Sequence, residues 1–232
     1  MTEIDAFDEW GIRALVTTRD DGSFSTSSDE PVSVVMQRWD ALRGQLFGES
    51  SDGRLATARQ VHGAHVLVHD SDWRGWLRGP SADGHVAAAR GTAMAVSVAD
   101  CVPVFIAHPS GATALLHSGW RGTAANILAV AVRLLGERGI VVQELRVMLG
   151  PAICGSCYKV SPDVYGRLTG RGVDAPTCVD LRAIIADQAR SVGIADVRTD
   201  AACTRCDNDR FFSHRAGDVG RQVGVLHAPA FA

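Results

Sequence analysis

Hydrophobic positions along the chain follow two rhythms. SVVMQRWDALRGQLF (33–47) places Val35, Met36, Trp39, Leu42 and Leu46 at roughly three- and four-residue intervals, which predicts an amphipathic helix with one buried face. IRALVTT (12–18), by contrast, is a β-favouring run that ends in RDDGS, a turn signal. Beyond it short apolar runs dominate: RLATARQV (54–61), HVLVH (65–69), AMAVSV (93–98), VPVFIAH (102–108) and ATALLH (112–117), each bounded by Gly, Pro, Asp or Ser. Together they predict a buried sheet, and PSG (109–111) is short enough to join the last two as a hairpin.

From Thr123 the period lengthens again. Ile127, Val130, Ala131 and Leu134 share a helical face, with Thr123 expected as N-cap and Gly139 as the stop. LRVMLG (145–150) then predicts a strand, and SPDVYGRLTG (161–170) a short helix with Ser161 as cap and Pro162 in its first turn. DLRAIIADQARSVG (180–193) predicts a second helix, and IADVRT (194–199) and GRQVGVLHA (220–228) two more strands. No linker, repeat or low-complexity segment interrupts this order, so one domain over residues 1–232 is expected. Mixed elements with hairpin-length connections predict an α+β fold with mixed sheets rather than a purely parallel doubly wound sheet.

Composition narrows the function classes. Hydrophobic residues make up 46% of the 232, enough for a sizeable core, and the net charge of −3 leaves no basic stripe for DNA or RNA and no basic amphipathic segment for a membrane surface. The N-terminal MTEIDAFDEW is acidic and lacks the features of a secretory signal, and no run reaches the roughly 18 apolar residues of a membrane span. The expected location is the cytoplasm, where the six cysteines (Cys101, Cys154, Cys157, Cys178, Cys203, Cys206) stay reduced as core groups, metal ligands or nucleophiles.

Three metal-competent residues fall at strand ends or in the turns that follow: His62 in RQVHG, Cys101 in VADCVP and His117 in LLHSGWRG. Two imidazoles and a thiolate suit zinc, and three protein ligands leave a fourth position open, as in catalytic sites. The spacings match no local zinc motif, so on spacing alone three independently satisfied, half-buried polar side chains are the better reading. Cys154/Cys157 and Cys203/Cys206 form two C-x-x-C pairs, but the 45 residues between them hold two predicted helices and a strand, far more than a zinc ribbon's connection, and a joint four-cysteine site is not expected. Neither pair opens a long helix after a strand, which disfavours a thioredoxin-like dithiol. Cys178 is expected in the core, and His65, His69, His85, His108 and His227 as satisfied or solvated side chains; His214 shares its loop with Arg215 and Asp218. The chain has no phosphate-binding P-loop, no dinucleotide fingerprint and no nucleophile-elbow serine motif.

Taken in order, RQVHGAHV, SADGHV, VSVADCVPV, LLHSGWRGTAANI, LGPAICGSCYKV, CTRCDNDRFFSHR and GRQVGVL, from about Arg54 to Leu226, closely resemble the laccase-domain or YfiH-like family. That family is named for multicopper polyphenol oxidases and includes purine nucleoside phosphorylases with adenosine deaminase activity and a peptidoglycan editing factor. The resemblance implies a single α+β domain in four layers, α/β/β/α, with mixed sheets packed together. It also implies a metal held by His62, Cys101 and His117, zinc foremost, with copper also suited to such donors.

A zinc with three protein ligands makes hydroxide available near neutral pH, which suits deamination of adenosine; phosphorolysis needs a cation to orient phosphate. Arg121 is the candidate, being bidentate and placed at the mouth of a helix whose N–H groups also face an anion. Asp83 and Asp100 are expected as acid/base groups or supports of the ligands, with turn-forming carboxylates the alternative. Gln60 is expected to read a purine edge or orient His62, and Trp120 to pack in the core beside the site or stack on a purine. The expected partners are purine nucleosides, methylthioadenosine among them, and phosphate, with a monomeric chain and neither nucleic acid nor membrane.

Two other activities fit the resemblance, an editing hydrolase of cell-wall precursors and a copper-dependent polyphenol oxidase, as does a non-enzymatic metal-stabilised interaction protein. Eight histidines, most without a ligand pattern, do not fit the several coupled copper centres of a true laccase. The chain also departs from the family. Its N-terminal loop is reduced to TTRDDGSFSTSSDEP, and the usual Ser-Tyr-Arg-Arg reads Ser213, His214, Arg215, Ala216, so a shifted substrate preference is expected.

Overall fold

The apolar runs do not merge into one sheet; they build two. The computed structural model describes residues 1–48 and 53–231. In chain order its elements begin with β1 (Thr2–Ile4), β2 (Arg13–Val16), α1 (Val32–Phe47), β3 (Arg54–Arg59), β4 (Val66–His69), β5 (Gly75–Ser81), β6 (Gly84–Ala87), β7 (Thr92–Val98), β8 (Val102–Ala107) and β9 (Thr113–Ser118). They continue with α2 (Trp120–Ala124), α3 (Ile127–Gly136), β10 (Arg146–Leu149), β11 (Lys159–Val160), α4 (Pro162–Thr169), β12 (Thr177–Cys178), α5 (Leu181–Ser191), β13 (Asp196–Thr199) and β14 (Gln222–His227). The first six-stranded sheet runs β1-β2-β14-β7-β3-β5 and the second β13-β10-β8-β9-β6-β4, while β11 and β12 form a small ribbon. Both large sheets are mixed: β3 lies parallel to β5 and β7, β4 to β6, and β10 to β13, the remaining pairs being antiparallel.

Strand alternation assigns each side chain to a layer. Ala93 and Ala95 of β7 and Val223 and Val225 of β14 pack under Val35, Trp39, Leu42 and Leu46 of α1. Met94 and Val96 of β7 and Leu226 of β14 face the other way and meet Phe105, Ala107 and Leu115 of the second sheet. The outer face of that sheet, with Val104, Ile106, Leu116, Val147 and Leu149, is covered by α3 and α5. The result is a mixed α/β architecture of four layers, helix, sheet, sheet, helix. Strands buried on both faces read as continuous apolar runs, which is why β8 is apolar at every position. Phe105, wholly buried between the sheets, is one of its anchors; truncation to Ala there costs about 3–5 kcal/mol.

Several predicted elements keep their place and lose a residue or two at the ends. The hairpin is present, with Phe105 opposite Leu115 and Gly111 in the turn at φ 96°. Ser161 caps α4 by accepting from the Val164 N–H at 3.4 Å, with Pro162 at the start. The helix expected from Thr123 differs: α2 is a single short turn, the chain breaks at Asn126 (φ 51°), and the Asn126 side chain, not Thr123, caps α3. Thr123 instead pairs its hydroxyl with Ser118 at 2.9 Å, and α3 stops at Gly136, three residues before Gly139. β5 was not predicted. Its sequence GWLRGPS carries two glycines and a proline, residues confined to sheet edges, and it lies at the edge beside β3. Among the described residues no helix is long and apolar enough to cross a membrane.

Candidate metal centre and cavity

One buried carboxylate organises two of the three candidate ligands, His62 and His117. Asp83, wholly buried just before β6, accepts from the backbone N–H groups of Val61 (3.2 Å), His62 (2.8 Å) and Gly63 (2.6 Å). These bonds fix the turn after β3 and hold His62 in the left-handed region at φ 61°. The same carboxylate takes the Nδ1–H of His117, on β9, at 2.9 Å. That bond orients the ring so that Nε2 is left for a ligand. Asp83 is wholly buried and braces the His117 ring and the His62 turn, the supporting one of the roles expected for it.

Cys101 comes from the turn between β7 and β8. Its neighbour Asp100 sits at φ 85° and receives Thr204 Oγ1–H at 2.6 Å, Ser213 Oγ–H at 2.7 Å and the Arg215 N–H at 2.7 Å. Three donors from two distant loops make Asp100 the clamp of the cavity wall. Gly119 explains the rest of HSGW: a Cβ there would lie 2.8 Å from Cys101 Sγ and 3.3 Å from His62 Cδ2, so no side chain fits beside the cluster.

The ligand atoms of His62, Cys101 and His117 lie within 4.8 Å of one another, with the two rings edge to face at 81°. His117 is buried, Cys101 half-buried and His62 exposed, so the cluster is closed beneath and open on one side. Burial raises the Cys101 pKa, but the His117 and His62 rings outweigh it and bring the thiol down to about 6. Burial likewise opposes charge on His117, yet the Cys101 thiolate and Asp83 lift it to about 9. Asp83, disfavoured as an anion by burial, is held below its ordinary value by His117 and the turn amides. The metal-free cluster is thus a thiolate–imidazolium pair on a carboxylate. A cation replacing the His117 Nε2 proton meets a donor set that fits a divalent metal with an open position.

This cluster borders a cavity of about 900 Å³. Arg121 and Trp120 form one rim, with the Arg121 guanidinium 4.4 Å above the Trp120 ring. Trp120 packs against the helix-side core, as one of its two expected roles required, and also lines the cavity. The five-residue α2 is too short for a developed dipole, so the helix adds little to the charge that the Arg121 guanidinium brings to this wall. Phe24, Ser25, Thr26 and Ser27 of the shortened N-terminal loop also line the cavity, as does His214.

Gln60 lines the cavity too, but its amide is already engaged, Nε2–H donating to Ser97 O and Oε1 accepting from Ser97 N–H, both at 2.7 Å. It joins the end of β3 to β7, and its amide keeps one further N–H and one further lone pair. Tyr158, missed in the sequence although it stands in LGPAICGSCYKV, also lines the cavity, beneath Arg215. Burial, then the Cys101 thiolate, push its hydroxyl up to about 12, so it keeps its proton.

The remaining titratable residues sort as follows. His69 Nε2 meets His85 Nδ1 at 2.9 Å in a buried pair, giving His85 the partner that its sequence context did not suggest. Cys178 is exposed on β12 rather than in the core. The two C-x-x-C pairs, expected apart, converge: the sulfurs of Cys154, Cys157, Cys203 and Cys206 also lie within 4.8 Å of one another. Chain separation misled the expectation because β10 and β13 are parallel neighbours, so the loops that leave them run side by side. Among the described residues only two histidines join the three-donor cluster, which leaves no ligands there for several coupled copper centres.

The chain is 33% identical to a Streptomyces coelicolor protein named purine nucleoside phosphorylase, over 94% of this chain and 92% of that one. It is 30% identical to a protein named adenosine deaminase from an unknown prokaryotic organism, over 88% of each. Its fold is similar to that of YfiH from Bacillus licheniformis, with a TM-score of 0.85 at 22% identity, over 97% of this chain and 95% of that one. The family described as multi-copper polyphenol oxidoreductase laccase matches residues 18–228, and the chain belongs to it.

Proposed function

We propose that the chain is a metal-dependent purine nucleoside phosphorylase, acting on adenosine, inosine and methylthioadenosine, and that the same cavity deaminates adenosine. The observation that carries this reading is the meeting of His62, Cys101 and His117 at one side-open point beside a cavity rimmed by Arg121 and Trp120. The names of the relatives support the substrate class, and the cavity's size is that of a small-molecule site. Zinc is the metal we assign, since imidazole and thiolate are its usual donors; copper is the competitor. When bound, it supplies Lewis acidity and hydroxide near neutral pH.

The chain's own residues do the positioning. Asp83 holds His117 and the His62 turn in place, and Arg121 offers a flat guanidinium fork to a phosphate. In phosphorolysis a phosphate oxygen bonds to C1′ as the C1′–N9 bond breaks, and the purine leaves with the electron pair and takes up a proton. In deamination a water oxygen bonds to C6 as the C6–N6 bond breaks, one water proton leaving with the amine as ammonia and the other ending on N1 of inosine. Trp120 gives the purine an apolar face, and Tyr158, protonated at neutral pH, keeps an O–H donor on the wall.

The test is incubation of metal-loaded protein with adenosine, with and without phosphate, read by product identity. Adenine and ribose 1-phosphate are expected with phosphate, and inosine and ammonia without it. Protein of measured metal content that yields neither pair rejects the reading.

A further inference from the structure

We propose that Cys154, Cys157, Cys203 and Cys206 form a second metal site, a structural zinc tying the loop after β10 to the loop after β13. Four thiol sulfurs lie within 4.8 Å of one another, and Cys157 Sγ is 3.5 Å from Cys206 Sγ. A zinc tetrahedron with Zn–S bonds of about 2.3 Å has S···S edges of about 3.8 Å, so little movement closes the site.

The backbone is shaped for it. In each pair a tight turn puts both thiols on one side: Cys157 N–H and Tyr158 N–H donate to Cys154 O at 3.0 Å, and Asp207 N–H to Cys203 O at 2.8 Å. Across the pairs, Cys154 N–H donates to Cys203 Sγ at 3.2 Å, which ties the two loops together at the cluster. A parallel bridge between Ala152 and Cys203, with Thr204 N–H donating to Ala152 O at 3.2 Å, fixes the register of the two loops. Cys203 is buried and Cys206 exposed, so an ion can enter from the surface, while four thiolates leave no position open for substrate. The fifth nearby thiol, Cys178, points to Ser156 O at 3.5 Å and stays outside the set.

The site has a structural task. Directly after Cys157 comes Tyr158 on the cavity wall, and directly after Cys203 comes Thr204, one of the three donors on Asp100 beside Cys101. Joining the pairs therefore holds that wall against the Asp100 clamp.

The experiment measures zinc per chain on full-length protein purified under reducing conditions, with cobalt substitution to identify the donors. Cys101→Ala, which removes a ligand of the other cluster, is expected to retain one zinc per chain and to give the charge-transfer and d–d bands of a tetrathiolate cobalt site. Cys206→Ser loses those bands and Cys178→Ser keeps them. Should Cys206→Ser fail to fold, alkylation of native wild-type protein with mass-spectrometric readout replaces it: Cys154, Cys157, Cys203 and Cys206 are protected until a chelator is added, and reactive afterwards. A Cys101→Ala protein without zinc and without tetrathiolate bands overturns the proposal, as does a Cys157–Cys206 disulfide in the reduced native chain.

Discussion

The two sulfur-containing clusters differ in what holds them. His62, Cys101 and His117 stand at strand ends and in the adjoining turns, the two histidines backed by one buried carboxylate, with one side facing a cavity. The four cysteines stand on paired loops, braced by turn amides and, among the described residues, with no buried carboxylate bonded to their sulfurs, and lie close together from buried Cys203 to exposed Cys206. Three donors over a rigid base leave a position for chemistry; four donors on loops fix the loops. The two clusters are neighbours through Asp100, which adjoins Cys101 in sequence and is bonded to Thr204 of the thiol-bearing loop.

That contrast breaks first at His117. His117→Ala removes a ligand and leaves Asp83 buried without its ring partner, so turnover falls to the background rate while a four-thiol cobalt signal persists; steady-state rates and cobalt spectra on one sample read both. Asp83→Asn keeps the size but puts an amide against three N–H donors. Loss of such a supporting partner lowers metal affinity or activity by about 10- to 100-fold, to be measured by zinc competition and by kcat.

Arg121→Ala separates the two reactions. Loss of a charged hydrogen-bonding group costs about 1.5–3 kcal/mol, so KM for phosphate rises by about 10- to 150-fold while deamination without phosphate changes little. The smallest effect on turnover is expected away from both clusters, in the buried His69–His85 pair, where stability is what changes. Burial, and then His69, hold His85 down to about 3 from 6.5, so the unfolded chain binds the extra proton. This contribution is therefore complete above about pH 6.5 and is lost as pH falls toward about 3, at a limiting slope of about 1.4 kcal/mol per pH unit. His85→Gln is expected to flatten the decline of Tm between pH 6.5 and 4, and an unchanged slope contradicts this assignment.

The helices and the central strands were legible because their signals are local. The Val35, Trp39, Leu42, Leu46 spacing puts one face of α1 on the first sheet, and Ser161 and Asp180 cap α4 and α5 by short side-chain bonds. The division of the strands into two sheets was not legible, since a strand buried on both faces looks the same in either. The metal-centre residues could be listed, and the ordered motifs grouped them, but spacing did not: Asp83 links residues on either side of it in sequence through a bond that only the sheet pairing creates. Gln60 and Asp100 carry polar groups apt for substrate, yet backbone and loop partners already engage them. The four thiols failed the same spacing argument, because parallel pairing of β10 with β13 shortens in space what is long in sequence.

The most direct test of the three-donor centre is release of adenine from adenosine in the presence of phosphate, compared between wild-type protein and Cys101→Ala at matched folded concentration. Phosphate-dependent adenine release by wild type, with Cys101→Ala at the background rate, is the predicted result. Equal release by both proteins contradicts the assignment of the chemistry to His62, Cys101 and His117.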